Sequence, residues 1–149
     1  MTVGLPEDGL PEAVPSFRAH FTDPIYDSED EELAPFGSNE GWELVSSWAR
    51  RPDELGPDST IATVLDVDPG DVREIEGPME GTDGLQTASA IRGAAFTLLR
   101  LAGHLGEEDR SLALDVIDFE LATMDWLTEG ERQPLLTQRA DLASWADPA

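Results

Sequence analysis

The chain has 149 residues, 32 of them acidic against nine basic, for a formal net charge of −23. A surface that negative excludes direct binding to nucleic acid or to an anionic membrane, because neutralising phosphates takes a basic face. The absence of cysteine excludes disulfides, thiolate metal sites and cysteine nucleophiles.

The length suits one domain with its own core. No basic segment followed by an apolar run opens the chain, and no 18-residue apolar run occurs. Neither a signal peptide nor a membrane span is therefore expected, and the expected setting is cytoplasmic. All nine bases are arginine. Three readings of the acidity compete: a composition bias of a high-GC or salt-adapted bacterium or archaeon, a surface for a basic partner protein, and a mimic of the DNA backbone. The charge is uneven. Residues 1–82 hold twenty acids and four arginines, and the remainder twelve and five.

Residues 1–16 carry three prolines, two glycines and three acids without periodicity, the composition of a flexible tail. Phe17 to Phe21 supplies the first aromatics and reads as a short segment docking two phenylalanines on the domain. From Asp23 to Glu43 there are eight acids and no base, with Asp27, Glu29, Asp30, Glu31 and Glu32 almost contiguous. Like charges this close favour an exposed loop. The order of ligands needed for a calcium loop is missing.

Leu33 to Trp42 is the most distinctive stretch. Pro35 and Gly37 bracket an aromatic expected to be buried in a turn. Ser38 or Asn39 can then cap a helix with Trp42, Val45, Trp48 and Ala49 on one face, ending at Arg51 before Pro52. The segment Pro35-Phe36-Gly37-Ser38-Asn39-Glu40-Gly41 resembles a Pro-Phe-Gly-[Ser/Asn]-[Asp/Asn]-[Asp/Glu]-Gly signature of small uncharacterised bacterial proteins, including the YfeS-like group. The likeness covers residues 35–41 closely and 27–55 loosely. It implies a turn leading into a helix and carries no known activity. Asn39 stands where Asp is commoner, which weakens a paired-carboxylate site with Glu40.

Asp58 or Ser59 can start a short helix through Ile61, Val64 and Leu65. Asp66 to Asp71 reads as an acidic turn, Val72 to Ile75 as a short extended piece, and Gly77 to Gly81 as irregular. A helical hairpin at about 83–128 then forms the centre of the expected fold. Its first helix places Ala88, Ile91, Ala95, Leu98, Ala102 and Leu105 on one face, with Asp83 and Gln86 as a capping box and Gly106 as a left-handed stop. Its second places Leu112, Val116, Phe119, Thr123 and Trp126 on one face, with Ile117, Leu121 and Met124 beside them. Glu107, Glu108 and Asp109 favour its positive end. A last helix from about Glu131 to Trp145 carries Leu135, Leu136, Arg139, Leu142 and Trp145, and tolerates Pro134 only in its first turn. The expected fold class is all-α, a single compact domain of about five helices at 17–149 with at most one short strand pair.

No phosphate-binding loop, nucleophile elbow, His-Glu-x-x-His or Glu-x-x-His motif is present. No cofactor and no metal site are expected. His104 reads as a helix C-terminal histidine. Ser111, Asp115, Asp118, Ala122, Asp125 and Glu129 line the wet side of the second hairpin helix, where Asp115 and Asp118 could share a proton or a cation. A non-enzymatic, acidic protein-interaction module is the favoured function, in the manner of an immunity or inhibitor protein that neutralises a basic partner. A DNA mimic, or a hydrolase or metal-dependent enzyme using unrecognised carboxylates, is the alternative. The candidate partner surface is Tyr26, Asp27, Glu29, Asp30, Glu31, Glu32, Glu40, Trp42 and Glu43, and a homodimer is compatible with the sequence.

Overall fold

The structure is a computed structural model that describes residues 10–29, 31–66 and 81–146, with side chains from residue 84 onward in the last stretch. The pieces expected at 67–80 lie outside the described residues. Among the described residues there are six α-helices: α1 (Pro15–His20), α2 (Asn39–Trp48), α3 (Ile61–Leu65), α4 (Gly81–Ala102), α5 (Glu107–Thr123) and α6 (Glu129–Ala143). Short 3-10 turns at Pro24–Asp27 and Pro52–Glu54 complete the described elements, and no strand occurs among them.

α4 is the axis. α1, α2, α3 and α5 all pack on it, and α6 packs on α5. The ten residues Ile91 to Arg100 are all buried, so this helix is covered on every side, as a helix at the centre of a core must be. The expected apolar stripe holds at Ala88, Ile91, Ala95 and Leu98, each 0% exposed. α2 crosses α4 where two glycines meet. A Cβ on Gly93 would lie 2.8 Å from the Gly41 Cα, so the close approach depends on neither residue having one.

The helix ends differ from the sequence expectation in ways that geometry explains. Asp83, expected as an N-cap, lies within α4. The left-handed stop falls at Gly103 (φ +73°), whose N–H donates to the carbonyls of Leu98 and Leu99. Gly106 is instead the extended N-cap of α5. α5 stops at Thr123, so Trp126 leaves the helix and is 67% exposed. The fully buried residues of α5 are Ala113, Val116, Ile117 and Glu120, so Val116 and Ile117 hold as expected, while Leu112 and Phe119 are half-buried against the core. Pro134 is the sixth residue of α6, beyond the first turn, and its carbonyl accepts a bond from the Gln138 side chain.

The expected tail also behaves otherwise from Leu10 onward. Ala13 is buried, the Val14 N–H donates to the Arg100 carbonyl, and the Arg100 Nε donates to the Pro11 carbonyl. The Arg100 carbonyl is one of the last four of α4, which have no partner within the helix. Val14 supplies one, and the segment is thereby held down. Phe17 and Phe21 are buried as expected and cluster with Tyr26, Phe96 and Trp145.

Candidate functional site

Two arginines of α4 build the region around the acidic segment. Arg92 is one of the largest fully buried side chains of the molecule. Its Nε and Nη2 donate to the two carboxylate oxygens of Glu120 at 2.9 and 3.1 Å, and its Nη1 donates to the Leu33 carbonyl and to the Gln138 Oε1 at 3.0 Å each. The Gln138 Nε2 donates to the same Leu33 carbonyl. Eight residues on, Arg100 donates from Nη1 to the Tyr26 carbonyl at 3.0 Å and to Asp27 at 3.2 Å. Burial pulls the Arg100 guanidinium below the usual arginine range, and the Asp27 carboxylate partly opposes this.

Eight residues of helix span about 12 Å. Tyr26 is therefore held near the Arg100 end of α4 and Leu33 near its Arg92 end. Between these two anchors lie the acids of the loop. Asp27, Glu29, Glu31 and Glu32 are exposed there, and Asp30 lies outside the described residues.

The Pro-Phe-Gly turn follows and is locked by packing. Ala34, Pro35 and Phe36 are buried, and the Arg100 guanidinium lies 5.3 Å from the Phe36 ring centroid. A Cβ on Gly37 would fall 2.0 Å from the Glu31 carbonyl oxygen, and one on Gly41 would fall 1.9 Å from that of Pro35. Ser38 caps α2, its Oγ accepting the Gly41 N–H at 3.0 Å. Packing or capping thus accounts for Pro35, Phe36, Gly37, Ser38 and Gly41. The polar pair Asn39 and Glu40 is different. Both residues line a cavity of about 200 Å³ between the turn and helices α4 and α5. Glu32 and Ser38 also line it on the turn side, Leu85 and Ser89 on α4, Met124 after α5, and the Arg92–Glu120 pair.

The structure divides the candidate partner surface. Tyr26 does not belong to it: the ring is 1% exposed, and its hydroxyl donates to Asp141 at 2.7 Å. Burial, and then that hydrogen bond, raise the phenol above its ordinary range. Asp27, Glu29, Glu31 and Glu32 stand on the anchored segment, and Glu32 and Glu40 come together at the cavity. Trp42 is half-buried against the core, and with exposed Glu43 it lines a separate open groove with Ser46, Ser47, Arg50 and Arg51. The acidic segment is also not without counter-charge, since Arg92 and Arg100 approach it from far along the chain.

Asp118 is engaged by Arg139 in a two-point contact at 2.6 and 3.1 Å, which raises the arginine further. Asp115 acts electrostatically on the same guanidinium. Among the described residues, no group of three or more His, Asp or Glu side chains is placed to hold a metal ion. No helix among them is long and apolar enough to cross a membrane. His20 meets the Asp141 carbonyl at 2.8 Å and the Ser144 hydroxyl at 3.0 Å through Nε2, and so ties α1 to the end of α6.

Sequence reasoning missed Arg92, Arg100, Glu120 and Gln138. The signal was present in the run Ile91-Arg92-Gly93-Ala94-Ala95-Phe96-Thr97-Leu98-Leu99-Arg100. Two charges eight apart in a helix otherwise apolar or small on all sides have no wet face to occupy. No family model, curated protein or solved structure matches the chain.

Proposed function

We propose that this chain is a non-enzymatic binding protein that offers its acidic segment and turn to a basic protein, as an inhibitor or immunity protein does. One observation carries the reading: exposed Asp27, Glu29, Glu31 and Glu32 sit on backbone anchored at both ends by buried guanidiniums. A charge run that served only solubility would need no such anchoring. Holding the carboxylates on a fixed backbone lowers the ordering cost that a flexible acidic loop would meet on binding. It also gives the local field a fixed direction for steering a basic surface.

The reading is tested by capture from a lysate of the source organism at low and high salt. The wild-type chain is compared with a variant carrying Glu29→Gln, Asp30→Asn, Glu31→Gln and Glu32→Gln. The expected result is a basic partner held by the wild type and lost or reduced with the variant. Identical partners for both proteins would reject this surface as the binding site.

A further inference from the structure

We infer that the cavity between the Pro-Phe-Gly turn and helices α4 and α5 receives one arginine side chain of the protein partner. The inference rests on the proposed binding role and supplies its anchoring contact. Three features lead to it.

The first is size. At about 200 Å³ the cavity falls below the ~300–1,000 Å³ of sites for drug-sized molecules and cofactors. It suits a single long side chain.

The second is charge. Glu32, Glu40, Glu120 and Arg92 are the ionisable side chains that line it, three acids against one base. Arg92 is committed to Glu120, Gln138 and the Leu33 carbonyl, so its charge is already answered. Glu32 and Glu40 carry the excess negative charge, and neither makes a side-chain hydrogen bond or ion pair among the described residues. Glu40 lies in the first turn of α2, whose positive end favours the ionised carboxylate.

The third is the division of labour within the turn. Pro35, Phe36, Gly37, Ser38 and Gly41 are accounted for by packing and capping. Asn39 and Glu40, which these do not account for, are both lining residues of the cavity.

An arginine fits this lining better than a lysine. Its planar fork presents five donors, enough for the Glu32 and Glu40 carboxylates and the Asn39 amide oxygen together. Its methylene stem can lie along Leu85 and Met124, the apolar part of the wall.

The test is an NMR titration of the isotope-labelled full chain at fixed ionic strength with the peptide acetyl-Ala-Arg-Ala-amide. Matching peptides replace the arginine with lysine or with citrulline, a neutral mimic of nearly the same shape. The expected result is a set of shifts confined to the amides of residues 37–41, Ser89 and Met124 with the arginine peptide. Lysine should give weaker shifts, and citrulline none. Glu40→Gln should weaken binding about tenfold, the loss of one charge-assisted hydrogen bond. Glu32→Gln, which lies outside any helix, should act in the same direction, and Glu43→Gln, which stands away from the cavity, should have no effect. Equal shifts with arginine and citrulline would overturn the inference. So would arginine shifts spread over the acidic segment and unchanged by Glu40→Gln. Failure of the peptide alongside partner loss in a variant carrying Glu29→Gln, Asp30→Asn and Glu31→Gln, which leaves Glu32 in place, would remove the cavity and leave the binding role. A bound peptide with partner capture unaffected by that variant would do the reverse.

Discussion

The Arg92 guanidinium and the Glu120 carboxylate form a two-point ion pair at 2.9 and 3.1 Å, with side chains 1% and 2% exposed. Removing both charges from water is costly, and such pairs are often near-neutral for stability as a whole. Their value here is positional. The guanidinium also reaches Leu33 and Gln138, so that one buried group joins α4, α5, α6 and the acidic segment.

Arg92→Met should therefore cost about 3–5 kcal/mol, because Glu120 is left buried without its partner. Adding Glu120→Leu should recover more than half of that loss, which urea unfolding of the single and double variants measures. A double variant no more stable than Arg92→Met would mean that the pair is not the source of the penalty.

Gly41 and Gly56 offer a contrast within one chain. A Cβ on Gly41 would enter the Pro35 carbonyl, whereas one on Gly56 meets nothing within 4 Å. Gly41→Ala should lower stability by about 1–3 kcal/mol, as overpacking does. Gly56→Ala should be neutral or stabilising, by up to about 1 kcal/mol. Equal effects in thermal melts would contradict the close approach of α2 to the turn and to α4.

Asp109 links pH to stability. Its carboxylate accepts the Ile61 N–H at 3.2 Å and so ties α5 to the start of α3. Burial raises its pKa, the hydrogen bond from Ile61 opposes that, and Glu108 adds to the rise. The folded state thus holds this proton more tightly than the unfolded chain does. Its contribution is complete below the ordinary carboxylate value near ~3.9 and is lost as pH rises through the raised value. Asp109→Asn should accordingly gain stability relative to wild type between pH 4 and pH 7. A difference that stays constant over that range in urea unfolding would contradict the assignment.

The parts of the fold legible in the sequence were those governed by local rules. Spacing at Ala88, Ile91, Ala95 and Leu98 exposed the buried face of α4, and the Ser38-Asn39 pair, left open as the cap, marked the start of α2. The Phe17–Phe21 segment announced itself by its aromatics. What failed depended on distance. The partner of Arg92 is 28 residues away, and the backbone that Arg100 grips is 74 residues away. Tyr26 looked like a surface aromatic because it stands among acids. Its ring packs against Phe17, Phe21 and Phe96, and Asp141, 115 residues further on, satisfies its hydroxyl. The spacing predicts Trp126 on α5 because it continues past the true end of the helix at Thr123. The cavity was illegible for the same reason, since its walls come from the turn, α4, α5 and the residue after α5.

The most direct test of the acidic segment as a steering surface is the association rate of the captured partner as a function of salt. Opposite charge raises association rates, and salt screens exposed charges over roughly 8–10 Å. The four-site variant, with Glu29, Asp30, Glu31 and Glu32 neutralised, should associate several-fold more slowly at low salt and should converge on the wild-type rate at high salt. Its dissociation rate should change much less, because rim charges act mainly on encounter. Association rates for the two proteins that coincide at every salt concentration would contradict the account.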